Sequence, residues 1–251
     1  MKKIIGALVL SGLAAVVQAK DSTVLETKLK QAMEADSRPE SHMERDKNRK
    51  PIETLEFFGL KDDMRVLELI PGGGWYTRLL APVLRDKGEL YVAYGTGWMG
   101  DLLQQPGFEK VKLVAEKAKL YKPDGSMFYK LEDTKTGLKN LDMVLTFRNY
   151  HNFDETGRKA MNDAAYKALK MGGIYGVVDH TRRHMEGTYS ENRRRFDPVL
   201  AIKEIQAAGF ELVDFSDLHF RLDDELRYEV GRSSVTGNSD RWTLKFKKVK
   251  K

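Results

Sequence analysis

From Pro51 onward, short apolar runs alternate with segments of helical periodicity, and this alternation restricts the fold more than any other feature. "RVLELI", "ELYVAY", "LDMVLTF" and "IYGVVDH" have strand length. "WYTRLLAPVLRDKG" and "DETGRKAMNDAAYKALKMGG" lie between them and are long enough for helices. Strands separated by helices pair in parallel and are buried on both faces, so they read as nearly continuous apolar runs. "KVKLVAEKAKLY" carries a further strand, and "DPVLAIKEIQAAGF" a further helix. The last two strands, "ELVDFSDL" and "RWTLKFKKV", are joined by a polar stretch with no helix. A parallel pair would need a crossover, so these two pair antiparallel. The expectation is an α/β fold, a mostly parallel sheet with helices on both faces.

Local signals fix the helix ends. Pro51 suits a first helical position and Gly59 a helix end; Ile52, Leu55 and Phe58 give that helix a buried face. Asp154 suits an N-cap, with Gly172 as the stop of the same helix. Asp197 and Pro198 start the next one. The chain has 251 residues, enough for one sizeable core. Residues 1–19 have a secretory layout: Lys2 and Lys3, an apolar run from Ile4 to Val17, then "VQA". That run is too short to span a bilayer, so cleavage, a periplasmic or secreted location and no stable membrane insertion are expected. Residues 20–50 are expected to form a polar N-terminal arm, and residues 51–251 the domain. There is no cysteine, which excludes disulfides and lipid-modified thiols. The net charge of +6 is mild, and no basic stretch interleaved with aromatics occurs, so no nucleic-acid partner is expected.

Open sheets of this type bind ligands beyond the carboxyl ends of their strands. Four loops qualify. After the first strand comes "PGGG"; Gly72, Gly73 and Gly74 allow backbone to approach a ligand, and the following helix offers amide donors. After the second comes "YGTGWMG". "RNYHNF" brings Arg148, Asn149 and His151: a fixed cation, an amide and a titratable base. "DHTRRH" brings Asp179, His180 and His184. His151 is the first candidate base, with Asp179 placed to orient a histidine and His180 beside it.

"VLELIPGGGWYT", "GELYVAY", "LDMVLTFRNYHNF", "LKMGGIYGVVDH", "AAGFELVDFSDL" and "RWTLKFKKV" stand in the order and at the spacings of a class I S-adenosylmethionine-dependent methyltransferase, which the chain resembles over roughly Pro51 to Lys248. More narrowly, "PGGGWYTRLLAPVL", "TFRNYHNF", "GVVDH" and "RRRFDPVLAIKEIQAAGF" are similar to a group of exported bacterial methyltransferase-like proteins. The resemblance implies a Rossmann-like seven-stranded sheet with an antiparallel last strand, S-adenosylmethionine as cofactor and a small-molecule acceptor. It assigns Glu68, Gly72, Gly73, Gly74, Tyr94, Arg148 and Asn149 to cofactor binding. Two positions depart from the pattern. Ile70 replaces the first loop glycine, and Tyr94 stands where an acidic residue would hold the ribose hydroxyls. Both favour an alternative, a non-catalytic ligand-binding protein on the same scaffold.

Asp142, His151, Asp179, His180 and His184 are suitable metal ligands by type, but "HTRRH" lacks the glutamate of a zinc-binding helix, and no metal is expected. No G-x-S-x-G elbow supports a serine hydrolase. Arg182, Arg183, Arg193, Arg194 and Arg195 form either a solvated loop or a clamp over an anionic ligand.

Overall fold

Every central strand buries both faces. In the computed structural model, which describes residues 23–250, seven strands form one sheet in the order β3-β2-β1-β6-β7-β9-β8. They are β1 (Arg65–Leu69), β2 (Glu89–Ala93), β3 (Lys112–Val114), β6 (Leu141–Phe147), β7 (Leu169–His180), β8 (Phe210–Ser216) and β9 (Arg241–Lys248). The pairs within β3-β2-β1-β6-β7 are parallel, whereas β9 runs antiparallel to both β7 and β8. This is the expected seven-stranded sheet with its antiparallel final strand.

Alternate residues of each strand feed two cores. Leu67, Leu69, Val144 and Val177 pack with Met161 and Ala165 of α6 (Glu155–Ala168) and Ile205 of α7 (Pro198–Ala207). Val66, Val92, Leu145 and Val178 face the other side. There they meet Leu55 and Phe58 of α4 (Pro51–Phe58), Leu79 and Val83 of α5 (Thr77–Leu84), and Leu29 of α1 (residues 23–33). The helices therefore cover both faces, the arrangement that makes apolar-throughout strands stable. Among the described residues, no helix is long and apolar enough to cross a membrane.

The caps at Asp154 and Asp197 form as expected: Asp154 Oδ1 accepts from the Gly157 N–H and Asp197 Oδ1 from the Val199 N–H, both at 2.9 Å. Two boundaries differ. Helix α6 stops at Ala168, because Leu169 already pairs with Leu141 in the sheet; Gly172 instead takes a left-handed turn (φ 76°) within the irregular start of β7. "KVKLVAEKAKLY" splits in two: β3 edges the main sheet, while β4 (Lys119–Tyr121) forms a separate hairpin with β5 (Lys130–Glu132).

The arm is part of the packed structure from residue 23. Leu25 and Leu29 of α1 are buried in the second core. Two short turns of helix follow, α2 (Glu40–Met43) and α3 (Asp46–Arg49). Arg38 forms a bidentate ion pair with Asp46 at 2.8 and 2.6 Å. The expected leader, residues 1–19, lies outside the described residues.

The polar stretch between β8 and β9 is pinned by one buried ion pair. Arg195 donates to both Asp224 oxygens at 2.8 and 2.9 Å, and both side chains are essentially inaccessible. Asp224 also accepts from the Leu226 and Asp240 backbone N–H groups. Removing one member of such a pair strands the other charge away from water. Asp224→Ala should therefore destabilise the fold by about 3–5 kcal/mol, read as a fall in urea midpoint at unchanged slope.

Candidate active site

The carboxyl edge of the sheet opens into a cavity of about 480 Å³. Its floor is the turn Ile70–Gly73 after β1, Phe147 at the end of β6, and Arg148, Asn149, His151 and Asn152 just beyond it; its walls include His42, Arg45 and Arg49 of the arm, His180 and Arg194. A smaller cavity of about 170 Å³ adjoins it, sharing Arg45, Arg49, Arg148, His180 and Arg194, and adds Ser239 and Arg241.

The glycine turn is built from strained and open backbone. Ile70 has φ 56°, a left-handed conformation unusual for a β-branched residue. It is held there by its N–H to Ala93 O at 2.8 Å and by Asn149 Nδ2, which donates to Ile70 O at 3.0 Å. Asn149 thus ties the turn to β6. A Cβ added at Gly72 or Gly73 would meet nothing within 4 Å, so the backbone there faces free space. Gly74 serves packing instead: a Cβ would sit 2.2 Å from Leu102 Cδ2.

Asp179, fully buried at the end of β7, organises the catalytic candidates. Its Oδ2 accepts from the His151 backbone N–H at 2.8 Å, and its Oδ1 accepts from His151 Nδ1 at 2.5 Å and from the His180 N–H at 2.6 Å. A carboxylate in that position assigns the proton to Nδ1 and leaves Nε2 of a neutral His151 as the acceptor nitrogen. The ring of His180 lies 5.7 Å from that of His151, and its Nδ1 meets Ser239 Oγ at 2.9 Å. Burial first, then Arg241, His151 and Arg148, hold His180 well below the usual histidine range, so it is neutral.

Of the residues expected to bind cofactor, Gly72, Gly73, Arg148 and Asn149 line the cavity. Glu68, Gly74 and Tyr94 do not. Glu68 points under α5, buried, where its Oε2 accepts from Thr77 Oγ1 at 2.6 Å. Tyr94 turns into the first core, and its hydroxyl donates to Thr134 O at 2.5 Å. The possible metal ligands do not converge. Asp142 lies at the opposite end of β6, where it accepts from the Arg65 N–H and from Lys170, and His184 pairs with Asp197. Among the described residues no group of three such ligands forms.

The arginine run also resolves. Arg195 is committed to Asp224, Arg182 sits over the Phe196 ring and donates to Thr188, and Arg183 reaches Glu225 O. Arg194 alone of that run lines the cavity, paired with Glu229. Arg148, expected from the loop after β6, is a further cavity cation; the remaining ones come from positions the sequence does not single out, Arg45 and Arg49 of the arm and, in the adjoining cavity, Arg241 at the start of β9. Trp75 joins arm to domain, donating to His42 O at 3.0 Å and lying under Arg49 at 4.3 Å. No periodicity marks these residues; the run "RDKNRK" reads only as charge.

No protein-family model and no curated protein matches the chain. Solved structures match its fold. A SAM-dependent methyltransferase from Aquifex aeolicus aligns with TM-score 0.56 at 15% identity, over 89% of this chain and 98% of that one. The [4+2]-cyclase SpnF aligns with TM-score 0.55 at 16% identity, over 86% of this chain and 85% of that one. The glycopeptide N-methyltransferase MtfA, in complex with sinefungin, gives TM-score 0.51 at 16% identity, over 80% and 93%.

Glu68 supplies a test of the site's underside. Burial raises its carboxyl from 4.5 to about 7, with the Thr77 hydrogen bond opposing. A carboxyl whose pKa is raised by folding stabilises the protein fully below its unfolded value, and that contribution is lost as pH rises through the folded value. Stability should therefore fall by roughly 3 kcal/mol between pH 4.5 and 7 from this group alone. Glu68→Gln should flatten that slope in urea titrations across the interval. The strand order and the structural matches together show that this chain has the fold shared by the S-adenosylmethionine-dependent methyltransferases.

Proposed function

We propose that the protein is an S-adenosylmethionine-dependent methyltransferase acting on a small molecule, exported from the cytoplasm. The observation that carries this reading is one cavity, at the carboxyl edge of this fold, onto which both the open glycine backbone and His151, held from behind by Asp179, face. The residues fit the amino-acid end of the cofactor: the free space beside Gly72 and Gly73 suits close approach to backbone donors. At the ribose end Tyr94 offers nothing, its hydroxyl being spent on Thr134.

When bound, the cofactor would supply an electrophilic methyl group. This chain's part is positioning and one proton. Gly72 and Gly73 would hold the cofactor's amino-acid end through backbone. His151 Nε2 would accept the proton of the acceptor's attacking group, while Asp179 keeps the ring oriented and stabilises its charged form. Neutral His180, its Nδ1 engaged with Ser239 Oγ, would give the acceptor a hydrogen bond through Nε2 without adding charge. The inward Tyr94 favours a second reading, a ligand-binding protein without catalysis, which would bind no adenosyl cofactor.

Calorimetry separates the two. The folded protein should bind S-adenosylmethionine and S-adenosylhomocysteine, and Gly73→Val should weaken both at least tenfold while leaving Tm unchanged, since the new side chain enters open space. Absence of binding at millimolar cofactor would eliminate the methyltransferase reading. With an acceptor in hand, His151→Ala should lower kcat by roughly 10²–10⁴ with little change in cofactor affinity. Export rests on the layout of residues 1–19. N-terminal sequencing of protein taken from cells should begin at Lys20, and a cytoplasmic product beginning at Met1 would refute it.

A further inference from the structure

The cavity holds more positive charge than the protein balances. Arg49 is 5% exposed, its Nη1 is buried without a hydrogen-bond partner, and its guanidinium rests only on the Trp75 ring. Arg241 is equally enclosed; its Nη1 donates to Asn48 O at 2.9 Å, but its Nε has no partner. Arg45 lines both cavities from the exposed rim, and Arg148 lines both from the end of β6. Among the described residues Asp179 and Glu229 lie nearby; neither hydrogen-bonds to these four arginines, and Asp179 offsets part of the charge of Arg148 and Arg241 at a distance. Asp179 takes three donors from His151 and His180, and Glu229 takes Arg194.

A buried guanidinium keeps its proton, so it needs a counter-charge and hydrogen-bond acceptors rather than deprotonation. The electrostatics agree with the geometry. Burial, then Arg148, pull Arg49 down to about 8, and burial, then Arg148, pull Arg241 down to about 10. Each cation is penalised by the others. S-adenosylmethionine would not relieve this, because its sulfonium and ammonium outweigh its single carboxylate. The balancing charge has to come from the other molecule in the cavity.

We propose that this molecule, the methyl acceptor if the reading above holds, is a compact polyanion. It carries at least two oxyanion charges, as a phosphate ester or clustered carboxylates, and is gripped by Arg45, Arg49, Arg148 and Arg241. Arginine forks match both groups bidentately, and the low-dielectric setting strengthens them. Naming it the acceptor rests on the methyltransferase reading; the anion site itself does not.

The test uses the full folded chain, with pyrophosphate and citrate as probes and with acetate and chloride at matched ionic strength as controls. Pyrophosphate, citrate or both should raise Tm by roughly 5 °C near saturation, with the controls inert. Preference between the two distinguishes a phosphate from a carboxylate ligand. Arg45→Gln, at the exposed rim, should weaken binding at least tenfold without affecting the fold. Arg49→Met, which keeps the contact with Trp75, should abolish the shift and raise the Tm of the free protein, because an uncompensated charge is removed. A merely structural Arg49 would lower it. The proposal is overturned if neither polyanion exceeds acetate, or if binding survives in both variants. Polyanion binding without cofactor binding would sink the methyltransferase reading and leave this site standing; the reverse would sink this proposal alone.

Discussion

Three neighbouring parallel strands end in the same conformation, and the site depends on it. Ile70 after β1, Tyr94 after β2 and Arg148 after β6 have φ of 56°, 68° and 61°, and none is glycine. Each such residue costs about 1–3 kcal/mol and persists only where its surroundings dictate it. Here the sheet dictates it: the Ile70 N–H goes to Ala93 O and the Arg148 N–H to Val178 O. The extra ladder bond forces the chain to turn abruptly at the edge. Those turns free Gly72 and Gly73 from packing, send Tyr94 inward and deliver Arg148 to the cavity.

A second constraint acts one layer further in. Asp179 is a fully buried carboxylate, tolerable because three donors converge on it. Two of them are backbone groups, and the one from His151 ties the loop after β6 to the end of β7. The histidine orientation follows from this geometry. The same carboxylate makes no hydrogen bond to an arginine and acts on Arg148 and Arg241 only as a charge at a distance.

The strands themselves were legible because both-face burial leaves a strong mark. "MVLTF" and "YGVV" read as buried strands without any knowledge of their partners, and the missing helix before "RWTLKFKKV" betrayed the antiparallel pair. His151, Asp179 and His180 were legible because strand ends are short-range features, and the edge rule picks them out. Tyr94 was not, since its direction depends on a left-handed turn that propensity does not predict for tyrosine. Glu68 was misplaced for a related reason: the face a strand-end residue presents is set by register against α5. The arm's Arg45 and Arg49 were least visible. They reach the cavity through tertiary contacts of Trp75 and His42 that leave no periodic trace.

Likeness of fold does not select the chemistry. A [4+2]-cyclase and an N-methyltransferase share this architecture with the present chain at 16% identity. In this chain the chemistry has to be read from what stands at the edge of the sheet. Its arm docks through Leu25 and Leu29 on the core and through Trp75 at the rim, and it is the arm that carries His42, Arg45 and Arg49 to the cavity. Burying Arg49 without a carboxylate weakens the very docking that buries it, and a bound anion would restore that loss. Anion binding and arm docking would therefore be linked through one guanidinium. The arm should be held most tightly when the cavity is filled, which makes it part of the site.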